Sequence, residues 1–119
     1  MTAYAIAHFH RTSNHPQVIE YIDRIQATLD PFGGRFLVHG GEQYEMEGRW
    51  AAAVILEFPD LAKARAWYHS PAYQDILHLR ADHTEAEIVL VEGVAPDYDP
   101  SATAAALRRA AQQDTTATT

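Results

Sequence analysis

The sequence predicts an α+β domain whose elements run β-α-β-β-α-β. Two patterns and one set of boundary signals predict it. Apolar residues follow a strand-like pattern in four segments and recur at helical spacing in others. Proline and glycine, with Ser, Asn or Asp as caps, fall between those segments, where helices start and strands turn.

The elements can be justified in order. Residues 3–10, AYAIAHFH, alternate: Tyr4, Ile6, His8 and His10 face one way, and Ala3, Ala5, Ala7 and Phe9 the other. This is a strand with little charge on either face. In TSNHPQ, Ser13 or Asn14 offers a helix cap before Pro16, a good first-turn residue. Val18, Ile22, Ile25 and Leu29 then recur at helical spacing, to about Asp30. Pro31 ends that helix and Gly33-Gly34 makes the turn into a second strand, 35–39. A polar connection from Gly40 to Gly48 carries three glutamates. The third strand, 50–58, is apolar on both faces, which suits a central position. Pro59-Asp60 stops it and starts a helix through Tyr68; Ser70-Pro71 restarts the helix to about Arg80. Residues 85–92, EAEIVLVE, form the fourth strand.

Residues 1–94 therefore read as one domain. Residues 95–119 read as a linker (APDYDP), a possible short helix with one large apolar anchor, and a disordered DTTATT end. The order fits a ferredoxin-like antiparallel sheet, strand order 4-1-3-2, with both helices on one face. The opposite face is too apolar to meet water. A second copy is expected to cover it, giving a homodimer through the open sheet face and a dimeric α/β barrel.

Composition narrows the function. The net charge of −7 argues against nucleic-acid binding, which wants a basic face. The longest apolar run, Ala51 to Leu56, is far short of a membrane span. No basic-then-apolar leader is evident and there is no cysteine, which fits a cytoplasmic protein and excludes thiolate chemistry. Seven histidines are many for 119 residues.

GGRFLVHGG (33–41), EGRW (47–50), LEFPDLAKARAWYHSPAYQ (56–74) and VEGV (91–94) resemble the bacterial family called domain of unknown function 1330, within the dimeric α/β-barrel superfamily. The resemblance covers about residues 2–94. It implies the dimeric fold. It implies no single reaction, because the superfamily includes cofactor-independent monooxygenases, cyclases, decarboxylating and isomerising enzymes, and haem-binding branches. His39 stands where the family more often carries arginine, and Arg49 where an acidic residue is common.

Topology gathers His8, His10, His39, Trp50, Glu85 and Glu87 at one sheet edge, with His15, His78 and His83 at the helix ends beside it. His8, His10 and His39 are the candidate acid/base residues: His8 or His10 beside Glu87, or His39 beside Glu57 or Glu47. Arg35, Trp50, Tyr68 and Tyr73 are the candidate substrate-binding residues. Arg35 can hold a carboxylate, or pair with an acidic residue of the first helix or across the dimer. Trp67 reads as core, and Ser70 as a cap instead of a nucleophile. His8-x-His10 with Glu87 is a conceivable metal set. No HExxH or cysteine motif supports it, so no metal and no cofactor are assigned. The glycines bracket a strand and do not open a helix, so they make no phosphate cradle.

These residues point to a small homodimeric enzyme without a cofactor. It would act on a small, partly apolar, acidic or phenolic metabolite by histidine-mediated proton transfer, as an isomerase, cyclase, lyase or monooxygenase. The alternatives are a non-catalytic dimer that binds a metabolite or protein, and a haem or metal site on the histidines.

Overall fold

The computed structural model describes the backbone of residues 1–118 and the side chains of residues 1–113. Its elements are β1 (Ala3–Arg11), α1 (Pro16–Leu29), a 3-10 turn (Asp30–Phe32), β2 (Arg35–Val38), β3 (Ala52–Phe58), α2 (Leu61–Tyr68), α3 (Pro71–Ala81), β4 (Glu85–Glu92) and α4 (Pro100–Thr118). The sheet is antiparallel throughout in the order β2-β3-β1-β4, with α1, α2 and α3 on one face: a ferredoxin-like α+β fold.

Local chemistry explains the boundaries. The α1 cap is His15, not Ser13 or Asn14: its Nδ1 accepts from the Gln17 amide, while Ser13 Oγ accepts from the His15 amide. Asp60 caps α2 and Ser70 caps α3, each accepting an amide three residues on. Gly33 takes the left-handed conformation, φ 70°, that turns the chain out of the 3-10 turn. β3 starts at Ala52 because Trp50 turns back, its Nε1 donating to the Glu47 carbonyl. The C-terminal segment exceeds its expected short helix. Asp99 Oδ1 accepts from the Ser101 amide at its start, and α4 continues through Thr118, across most of the stretch expected to be disordered. Thr119 lies outside the described residues.

Side-chain parity divides the sheet into two surfaces. Facing the helices, Phe36, Leu56, Ala5 and Leu90 form one row straight across the four strands. Ala5, Leu56 and Phe58 bury there against Ile25, Leu29, Ala64, Trp67, Tyr73 and Ile76, and Ala3 is buried on the same face. The alanines let the helices approach closely, which is why this register of β1 is the packed one. On the other face, Val38, Ile55, Ile6 and Val89 form a second row, with Arg35, Glu57, Tyr4 and Val91 beside it. Among the described residues, α1, α2 and α3 pack on the first face, and Val38 and Val89 of the second row stay exposed.

Candidate functional site

A cavity of about 390 Å³ opens between the helix-facing side of the sheet and the helices. That is within the usual range of ligand pockets. Its floor is Ala5, Ala7, Phe9, Phe36, Val54 and Leu56; its walls are Val18, Tyr21, Ile22 and Ile25 of α1, with Tyr73 and Arg80 of α3. His39 and Gly40 lie at its exposed rim.

Helical spacing builds the polar end of this cavity. Tyr73, Ile76 and Arg80 fall on one stripe of α3, and Val18, Tyr21 and Ile25 on one stripe of α1. The two stripes face each other. The Tyr21 and Tyr73 hydroxyls are hydrogen-bonded at 2.9 Å, and Arg80 Nη2 donates to the Tyr73 hydroxyl at 3.4 Å. The Arg80 guanidinium also lies 5.6 Å from the centre of the Tyr21 ring. Arg80 is 7% exposed, yet its Nε has no hydrogen-bond partner among the described residues. A buried, charged donor left unpaired is costly, which makes it the least satisfied polar group of the cavity.

Protonation follows from this packing. Burial pushes the Tyr21 hydroxyl far above its ordinary range, and Tyr73 adds to the shift; Arg80 opposes it without reversing it. Tyr21 therefore stays a neutral hydroxyl. Burial disfavours charge on Arg80, but Tyr73 and Tyr21 more than offset this and hold it cationic. The cavity thus presents a fixed positive charge and phenolic hydroxyls at one end of an apolar chamber. A guanidinium beside phenolic hydroxyls can hold a carboxylate or phenolate by charge-assisted hydrogen bonds.

Of the expected site residues, Tyr73 and His39 line this cavity. Tyr73 is only 1% exposed and also serves as packing, with its ring 4.2 Å from Trp67. Tyr68 packs 5.4 Å from Tyr73, behind the chamber wall. His39 stacks on Phe36 at 4.9 Å, and no hydrogen bond among the described residues restrains its ring. Of its two expected carboxylate partners, Glu57 is on the opposite face, held by Arg35 Nε at 2.8 Å, and no hydrogen bond among the described residues joins His39 to Glu47. Arg35 pairs with this strand neighbour, not with the first helix.

His8, His10 and Trp50 do not join the cavity. They sit together on the open face of the sheet, where the His8 ring stacks on Trp50 at 3.5 Å and His10 pairs with Glu87. His15 and His83 stack separately at 3.6 Å. The single histidine edge expected from topology is therefore divided by the sheet itself. Arg80 and Tyr21 were missing from the expected set. The signal for Arg80 was its place seven residues after Tyr73 on an apolar stripe.

Residues 2–94 match the family described as "Domain of unknown function (DUF1330)". No protein of curated function matches the chain significantly. Among solved structures the chain is similar to a protein of unknown function from Rhodopseudomonas palustris, RPA0582: 14% identity over 80% of this chain and 84% of that chain, TM-score 0.62. It is similar to a dimeric ferredoxin-like protein of unknown function from Thermobifida fusca: 21% identity, 78% and 92% covered, TM-score 0.53. It is also similar to SnoaB, a cofactor-independent oxygenase from Streptomyces nogalater: 11% identity, 82% and 98% covered, TM-score 0.54. At these identities the likenesses show the ferredoxin-like fold alone.

Proposed function

The chain belongs to the DUF1330 family, and from that premise we propose that it is a homodimer that binds a small, partly apolar organic anion, a carboxylate or phenolate, and transfers a proton on it. The observation that carries this reading is the Arg80 guanidinium. Its side chain lines the cavity beside the Tyr73 hydroxyl and the Tyr21 ring, among mostly apolar neighbours. Arg80 anchors the anion, Tyr21 and Tyr73 orient it through their hydroxyls, and His39 at the rim is the acid/base group. SnoaB, on the same fold, is a cofactor-independent oxygenase; proton transfer at an apolar cleft needs no bound cofactor either.

Two observations support the homodimer. The row from Val38 to Val89 is an apolar strip on an uncovered sheet face, with Val89 52% exposed in the single chain. The Thermobifida fusca protein of like fold is dimeric.

The test is a thermal-shift screen of small aromatic and aliphatic carboxylates and phenols, benzoate and 4-hydroxybenzoate among them. It is run on the wild type and on Arg80→Met, His39→Ala and His8→Ala. Arg80→Met loses the response, and His8→Ala, on the far face, keeps it. If every variant responds like the wild type, the cavity is not the binding site. Binding that survives His39→Ala with no turnover in either protein favours a non-catalytic binding dimer.

A further inference from the structure

On the open face of the sheet, away from the cavity, His8, His10 and Glu87 converge. His8 and Glu87 are partners in the β1–β4 ladder. The regular pleat alone would hold residues 8 and 10 roughly 7 Å apart. Instead the ladder is irregular between Phe9 and Arg11, where His10 has no partner on β4, and the two imidazole centres come to 4.3 Å. Such bulges re-aim side chains. One ring nitrogen of each histidine and one Glu87 oxygen all lie within 4.8 Å of one another. His10 Nε2 is 2.5 Å from Glu87 Oε1.

The His8 ring is fixed twice. It stacks on Trp50 with an interplanar angle of 18°, and its Nε2 lies 2.9 Å from the Arg49 carbonyl oxygen. A carbonyl only accepts, so Nε2 carries the hydrogen, and the neutral ring keeps its lone pair on Nδ1. An imidazole that donates its second N–H to a backbone carbonyl has the outer-shell support common to metal-bound histidines.

We infer that His8, His10 and Glu87 bind a first-row divalent transition metal, zinc foremost, with the fourth coordination position left to a further ligand. Two imidazoles and a carboxylate suit zinc; calcium and magnesium ask for oxygen donors throughout. In a tetrahedron around zinc the donor atoms stand about 3.3 Å apart. The present separations, from 2.5 Å up to 4.8 Å, bracket that value, so side-chain rotation suffices to close the site. This runs against the motif-based expectation of no metal. Local motifs do not report it, because Glu87 follows His10 by 77 residues and arrives across a ladder.

The experiment titrates zinc into the full chain by calorimetry and records the visible spectrum with cobalt in its place. The wild type takes up one zinc per chain and gives the intense d–d bands of a low-coordinate cobalt site. His8→Ala and His10→Ala each weaken binding by about 100-fold and Glu87→Gln by about 10-fold. His69→Ala, an exposed histidine after α2, leaves it unchanged. Far-UV circular dichroism checks folding; the fully exposed Glu87→Gln change keeps the test open if a histidine variant unfolds. No uptake by the wild type overturns the assignment, as does equal affinity in all four variants.

Discussion

Arg80→Met separates a functional charge from a structural one. Methionine keeps most of the volume and the apolar stem but removes the guanidinium. The losses are small: one 3.4 Å hydrogen bond to Tyr73, at most about 1 kcal/mol, and a cation–π contact with Tyr21, about 0.5–2 kcal/mol. Against them stands relief of an unpaired, buried Nε, about 1–3 kcal/mol. The terms nearly cancel, so the unliganded variant stays within about 1 kcal/mol of wild type, or about 4 °C in melting temperature. Ligand binding has no such compensation. Losing a hydrogen bond between the guanidinium and a carboxylate costs about 1.5–3 kcal/mol, roughly 10- to 150-fold in affinity. The assay is differential scanning fluorimetry with and without the best-responding carboxylate. A drop of more than about 10 °C without ligand, with the ligand-induced shift intact, would refute the reasoning and make Arg80 a structural residue.

Three further predictions address other links in the chain. At Gly34 an added Cβ would stand 2.7 Å from Phe58 Cε1 and 2.8 Å from Leu29 Cδ2, both core side chains. Gly34→Ala therefore destabilises by about 1–3 kcal/mol in urea unfolding, and an unchanged midpoint would show that the core yields there. Tyr21 has its pKa raised above the ordinary 10.0 in the fold. Its contribution to stability is thus fully present below pH 10 and declines as pH rises further. In native protein at pH 11 the phenolate absorbance stays below that of the unfolded chain, and Tyr21→Phe narrows the difference; coincident titrations would contradict it. Val89→Glu places a charge at the β4 end of the open-face row, so light scattering should report a shift from dimer to monomer, and an unchanged mass would locate the dimer contact elsewhere.

The four strands, α1 and the Ser70-Pro71 restart were legible because period, caps and turn residues agree with one another there. Parity correctly sorted β1 into Ala3, Ala5, Ala7 and Phe9 against Tyr4, Ile6, His8 and His10. Which set faces the helices was harder to read, since neither carries charge that forbids burial. The small size of the three alanines was the usable sign: only that side admits close-packed helices. Arg80 was obscured because a basic residue in a last helical turn normally reads as a partner for the helix dipole in solvent. The irregularity at His10 has no glycine or proline to announce it, so the convergence of His8, His10 and Glu87 depends on geometry that the spacing does not encode.

Strand β1 therefore presents two unlike surfaces with alternate residues. Ala5, Ala7 and Phe9 floor the cavity, while His8 and His10 stand on the other side of the same backbone. A slip of one residue in the β1–β3 register would exchange the two sets. It would drive imidazoles into the apolar cavity and alanines into the face that displays Ile55 and Val89. Burying unpaired imidazoles against Leu56 and Trp67 is costly, and so is losing the closely packed alanines. The polar residues of β1 thus help to fix the register that the apolar core requires. Substitutions at Ala7 and His8, adjacent in sequence, should accordingly act on opposite faces: a larger side chain at Ala7 obstructs the cavity, and alanine at His8 leaves it intact.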